Sequence, residues 1–139
     1  MAVSFRVFPS HSLVLVRCRG AVDLDQSLAA FHQYMQHTDF RHGQSQIVDL
    51  RDVVSYERDF TRIMEFQALR TEAFMGASAP IHLIYIAPNE ATHAMAMTAL
   101  RSWKDIDGII ALILGSIEEA CDVLAIDATV LVASDADAA

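Results

Sequence analysis

Apolar residues along this chain recur with two periods, and the switches between them lay out an alternating order of strands and helices. The short apolar runs at residues 3–8, 13–19, 45–50, 81–87 and 109–114 have the length and β-branched content of strands. Between them lie segments with helical spacing. In the first, Leu24, Leu28, Phe31 and Met35 recur at intervals of four, three and four, which is one face of a helix. Each helical segment opens on a residue that can accept from a free backbone N–H. Asp23, with Gln26 three residues on, has the pattern of a capping box and predicts a helix to about Gln36. Asp59 predicts a second to about Met75, and Asn89 a third to about Trp103. Ser116 and Glu119 form the S-x-x-E pattern of a fourth, ending near Ile126.

Glycine and proline punctuate this order. Pro9 separates the first two strands, Gly20 closes the second, and Gly43 precedes the third. Gly76 follows a helix, Pro80 and Pro88 bracket the fourth strand, and Gly108 and Gly115 bracket the fifth. The first two strands are expected to form an antiparallel hairpin around residues 9–12. The later ones alternate with helices, which predicts parallel strands joined by right-handed crossovers. Residues 109–114 are apolar on both faces, as a strand covered on both sides should be. The expected fold is α/β: a mixed sheet of about five strands flanked by four helices. One domain over residues 3–126 is expected, with an extension over 127–139 whose small, acidic end after Ala133 should fray.

The second helix carries two apolar stripes. At about 100° per residue, Phe60, Ile63, Met64 and Phe74 share one face, and Phe66, Leu69 and Ala73 form another. A wide core contact accounts for both. Alternatively, Phe66, Leu69 and Ala73 meet a second copy in a homodimer.

Composition narrows the function. The chain of 139 residues is 53% apolar and 20% charged, which excludes a disordered polymer. Its net charge of −8 and the want of a basic stripe argue against nucleic acid. Cys18 and Cys121 stand in no paired motif and read as small buried hydrophobes, not a disulfide. The N-terminus does not read as a signal peptide, and the longest apolar run, residues 109–114, is too short to span a bilayer. A cytoplasmic location is expected.

Candidate chemistry is sparse. The six histidines show no metal-binding spacing, and His32 and His37, five apart, do not share a helix face. Ser10-His11-Ser12 sets serine beside histidine, but neighbours in sequence do not make a catalytic geometry. No nucleophile elbow, phosphate loop or dinucleotide fingerprint occurs. Neither a metal nor a cofactor is expected. The carboxylates Asp49, Asp52, Glu57 and Asp59 could converge on a metal or act as an acid–base pair. Pairing with Arg51 and Arg58 is the plainer account.

The hairpin ending Val16-Arg17-Cys18-Arg19-Gly20, the segment Ile47-Val48-Asp49-Leu50-Arg51-Asp52-Val53, the segment Ile84-Tyr85-Ile86-Ala87-Pro88-Asn89 and the final Ser116-Ile117-Glu118-Glu119-Ala120 stand in an order that resembles the STAS superfold. More closely the chain resembles the SpoIIAA-like group, often compared with the lipid-binding SEC14 domain. In the anti-sigma-factor antagonists of this superfold, a corner after the third strand carries a phosphorylated serine. Aligned from Val48-Asp49-Leu50, that motif falls on Glu57-Arg58-Asp59-Phe60, with no serine or threonine at the modified position. Ser55 lies nearby but does not match it. The resemblance therefore implies the fold and a regulatory surface without the phosphorylation switch.

In open α/β sheets ligands bind beyond the carboxyl ends of the strands. That rule points to Asp49, Arg51, Ser55, Tyr56, Arg58 and Asp59 after the third strand, and to Asn89 and His93 after the fourth. Met64, Met95 and Met97 could line an adaptable groove nearby, with core packing their ordinary role. The leading expectation is a non-enzymatic module that engages a protein partner through the corner at residues 55–59. The first alternative is a carrier or sensor of a small apolar or amphipathic ligand, and the second is an enzyme using the loop carboxylates. A deep apolar pocket would favour the carrier, and a flat, closed surface with an exposed Tyr56 would favour the partner.

Overall fold

The computed structural model describes residues 2–75 and 80–131, with Phe60 in its backbone only. The chain is α/β. Five strands, β1 (Val3–Phe8), β2 (Leu13–Val22), β3 (Ser45–Tyr56), β4 (Ile81–Ile86) and β5 (Ile109–Leu114), lie side by side in the order of the sequence. The β1–β2 hairpin is antiparallel, and its turn is a short 3-10 helix over Pro9–His11 closed by Ser12 at φ 50°. All later pairings are parallel.

Helices α1 (Leu24–Met35), α2 (Phe60–Thr71) and α3 (Glu90–Trp103) connect the parallel strands, and α4 (Ile117–Leu124) follows the last. Strands added in one direction through crossovers of one hand place their helices on one face. That face carries α1, α2 and α3, packed over Val14, Val48, Leu83 and Tyr85. The chain then passes to the other face. There α4 and a helical turn over residues 128–131 cover Leu15, Ile47, Ile84 and Ile86. Leu131 is buried in this second core, so the packed chain runs beyond Ile126.

All four caps stand where the side-chain chemistry requires. Asp23 and Gln26 close a reciprocal box, Asp59 accepts from Arg62 N–H, Asn89 from Thr92 N–H and Ser116 from Glu119 N–H. Helix α2 gives way at Glu72 to a 3-10 turn reaching Phe74. The readings at Gly76 and after Ala133 fall outside the described residues. Among the described residues no helix is long and apolar enough to cross a membrane.

Two expectations change. Gly20 does not end β2: it sits within the strand at φ 67°, and β2 continues to Val22. The third strand does not end at residue 50, because β3 continues to Tyr56. Strand β4 pairs only with residues 46–49 of β3, so the rest of β3 projects with β2 as a two-stranded ribbon. The register of this ribbon slips twice, each time leaving one extra residue on β3. Val54 is the extra residue of the second slip, which explains its 84% exposure. Charged residues suit such a ribbon, since much of it faces water. Strand β5 is packed on both faces, Ile109, Ala111 and Ile113 against one core and Leu112 and Leu114 against the other, and as an edge strand it leaves Ile110 exposed.

Candidate functional site

Helix α2 turns Ile63, Phe66, Gln67 and Arg70 toward the sheet, a set spaced as one helical face. A face that closes a core is apolar. Half of this one is long and polar, and it does not close. A cavity of about 180 Å³ lies between it and the sheet, walled by α1 and α3 on either side. Phe5, Val16, Val48 and Leu50 line the sheet side, Ala30 and Phe31 the α1 side, and Met95 and Ala99 the α3 side. Cys18 also lines it, and burial pushes its thiol up to about 12, with Arg70 opposing the shift and Asp49 adding to it.

A polar cluster stands in this apolar lining. Arg70 donates from Nη2 to Gln46 Oε1 at 2.7 Å and from Nη1 to Tyr85 Oη at 3.4 Å. Its guanidinium lies over the rings of Phe66 at 5.7 Å and Trp103 at 5.3 Å. Trp103 Nε1 also donates to Tyr85 Oη, at 3.2 Å. Gln67 donates from Nε2 to the Ser102 carbonyl, which sets the orientation of its amide. Its Oε1 is buried without a hydrogen-bond partner among the described residues.

The rim is charged and cross-linked. Glu57, at the end of the β2–β3 ribbon, accepts from Leu24 N–H at 3.5 Å and from Arg62 Nη1 at 3.1 Å. Arg62 also bonds Asp25, so one side chain of α2 ties the ribbon to the start of α1. Exposed Asp23 belongs to the lining and marks the mouth.

Of the residues expected at a site, the structure brings Tyr56 to the cavity, with Arg58 stacked on its ring at 5.0 Å. Asp59 is exposed and occupied as the cap of α2, and Asn89 as the cap of α3. Ser55, Arg58 and His93 are exposed and do not line the cavity. Asp49 is 3% exposed on the opposite face of the sheet, held by Arg51 Nε at 2.9 Å and Nη2 at 2.7 Å with Arg17 at 3.7 Å. The carboxylates at positions 49 and 59 therefore do not converge. Among the described residues no group of three metal-ligating side chains forms.

Phe66, Leu69 and Ala73 pack within the chain, against Phe31 and Tyr34 of α1. Their stripe is a wide core contact, and Ala73 is 1% exposed. Met95 lines the cavity, whereas Met64 is exposed on the outer side of α2. Gln46, Gln67, Arg70 and Tyr85 escaped the sequence reading, which followed apolar positions alone. The signal was present: a helix whose sheet-facing positions include a glutamine and an arginine. No family model, no curated protein and no solved structure matches the chain.

Proposed function

We propose that this domain is a non-enzymatic binding module that holds a small apolar or amphipathic molecule beneath α1, α2 and α3. The cavity carries the reading. Its volume of about 180 Å³ exceeds the ~150 Å³ that suffices for benzene in an engineered apolar core. An accidental packing defect would be wholly apolar. This one pairs an apolar lining with convergent polar groups, the usual composition of a ligand pocket. The likeness to SpoIIAA-like and SEC14-type domains agrees with a carrier or sensor, and rests on the order of strands and caps.

Native mass spectrometry of the isolated protein, repeated under denaturing conditions, tests this. Extra mass that disappears on denaturation is the expected result. A protein isolated empty should bind the fluorescent probe N-phenyl-1-naphthylamine at one site per chain, and Ala99→Phe should block it. The absence of both extra mass and saturable probe binding would refute the reading.

A second reading keeps the ribbon end as a protein-binding surface. Val54 and the Tyr56–Arg58 stack support it, since they present apolar and cationic groups together at an exposed tip. Tyr56→Ala with Arg58→Ala should then abolish partner capture with the fold intact, and unchanged capture would place the surface elsewhere.

A further inference from the structure

We infer that the ligand of this cavity is an amphipathic monocarboxylate whose head group docks on Arg70 and the Tyr85 hydroxyl; this rests on the binding function proposed above. Three observations lead there.

The first is an uncompensated cation. Among the described residues Arg70 forms no ion pair with a carboxylate. Its acceptors are the neutral Gln46 amide and Tyr85 hydroxyl, and aromatic rings flank it. A half-buried guanidinium usually has an anionic partner, because neutral acceptors replace its lost hydration poorly. Two of its five N–H groups are used by these acceptors, which leaves others to bind a ligand.

The second is a spare proton. Tyr85 Oη accepts from both Trp103 Nε1 and Arg70 Nη1, and donates to no acceptor among the described residues. Its own O–H is thus free to donate beside the guanidinium. Two donors side by side match the two oxygens of a carboxylate. The third is the orphaned Gln67 Oε1, an acceptor in the same lining, one helical turn before Arg70. It would receive a hydroxyl or N–H carried by the ligand, or a water bound with it.

The charge balance selects a monoanion. Arg70 is the only cation among the described lining residues, and the acidic Asp23 and Glu57 share that lining. One guanidinium offsets one charge, while a phosphate dianion would keep an excess negative charge in a chain of net charge −8. The apolar remainder of the lining accepts an alkyl or aryl tail.

The test displaces N-phenyl-1-naphthylamine with octanoate, 1-octanol and octyl phosphate at pH 7.5. Octanoate should bind at least about tenfold more tightly than octanol, the margin of one charge-assisted hydrogen bond. Arg70→Gln should reduce that preference to within about twofold, and Arg70→Lys should restore part of it. Equal binding of octanoate and octanol to the wild-type protein would overturn the carboxylate assignment and leave the cavity reading intact. Tighter binding of octyl phosphate would overturn it in favour of a phosphate head. Failure of the fluorescent probe itself to bind would remove the binding function with it. The wild-type comparison needs no variant, so a misfolded Arg70→Gln would not protect the proposal.

Discussion

Tyr34 takes its hydroxyl into the core between α1 and β2, where it donates to Gln44 Oε1 at 2.6 Å. Gln44 is itself buried and donates onward to the Asp39 carbonyl at 3.0 Å. Removing the hydroxyl leaves a buried amide oxygen unpaired, which costs more than the bond is worth when made. Tyr34→Phe should therefore lower the unfolding free energy by about 1–3 kcal/mol in urea titration. A loss near zero would mean that water enters to satisfy Gln44. Cys18 offers a prediction with a definite pH window. Its thiol ionises near 9 when unfolded and near 12 when folded, because burial disfavours the thiolate. Between those values only the unfolded chain releases the proton, so Cys18 lowers stability as pH rises above 9. From pH 7.5 to 10.5 the wild type should lose about 2 kcal/mol more than Cys18→Ala, other titrations cancelling in the comparison. Parallel losses in the two proteins would place the thiol in contact with water.

At the scale of elements, local chemistry and tertiary packing divide the account between them. The caps were legible because each needs only two or three neighbouring residues, and the side chains at positions 23, 59, 89 and 116 bond as their types imply. Asn89→Ala should cost about 1 kcal/mol, with the loss confined to α3. The ribbon was not legible. A bulge breaks the period of two, so residues 49–56 lose the alternation that identifies a strand, and their charges read as a turn. The cavity was concealed for a different reason. Apolar periodicity locates the faces that close a core, whereas α2 meets the sheet partly through Gln67 and Arg70. Of the corner residues, Tyr56 and Glu57 reached the site, because the ribbon carries them to the rim. This tension on α2 can be measured. Gln67→Leu removes an unpaired buried acceptor, and Ser102, which loses its bond from Gln67, is a half-exposed residue near the end of α3. Stability should rise by about 1 kcal/mol. A clear loss of stability would show that the amide is a structural pin rather than part of a binding wall.

At the scale of the whole molecule, the sheet divides the protein into a close-packed side and a hollow one. On the α4 side, Ile117, Ala120, Cys121 and Leu131 fill the space over β4 and β5. On the other side, α2 fully buries only Gln67 among its described side chains. Beside the Gln67 and Arg70 bonds at the cavity, it is tethered toward its ends: Arg62 to Asp25 and Glu57 at one, and the Gly43 N–H donating to the Ala73 carbonyl just past the other. Segments with little buried apolar area open locally at a lower free energy than the whole chain unfolds. Amides of residues 60–71 should accordingly exchange with deuterium faster than those of β4. A ligand seated under α2 stabilises the closed state by mass action, about 2.7 kcal/mol at a hundredfold excess over Kd. Saturating octanoate should therefore slow exchange in α2 by about a hundredfold and leave α4 unchanged while global unfolding stays rarer than local opening. Protection of α4 instead would put the ligand on the opposite face of the sheet. Slow exchange of α2 in the empty protein, matching β4, would mean that the hollow side is as rigid as the packed one. Entry would then have to pass through the mouth at Asp23 without movement of the helix.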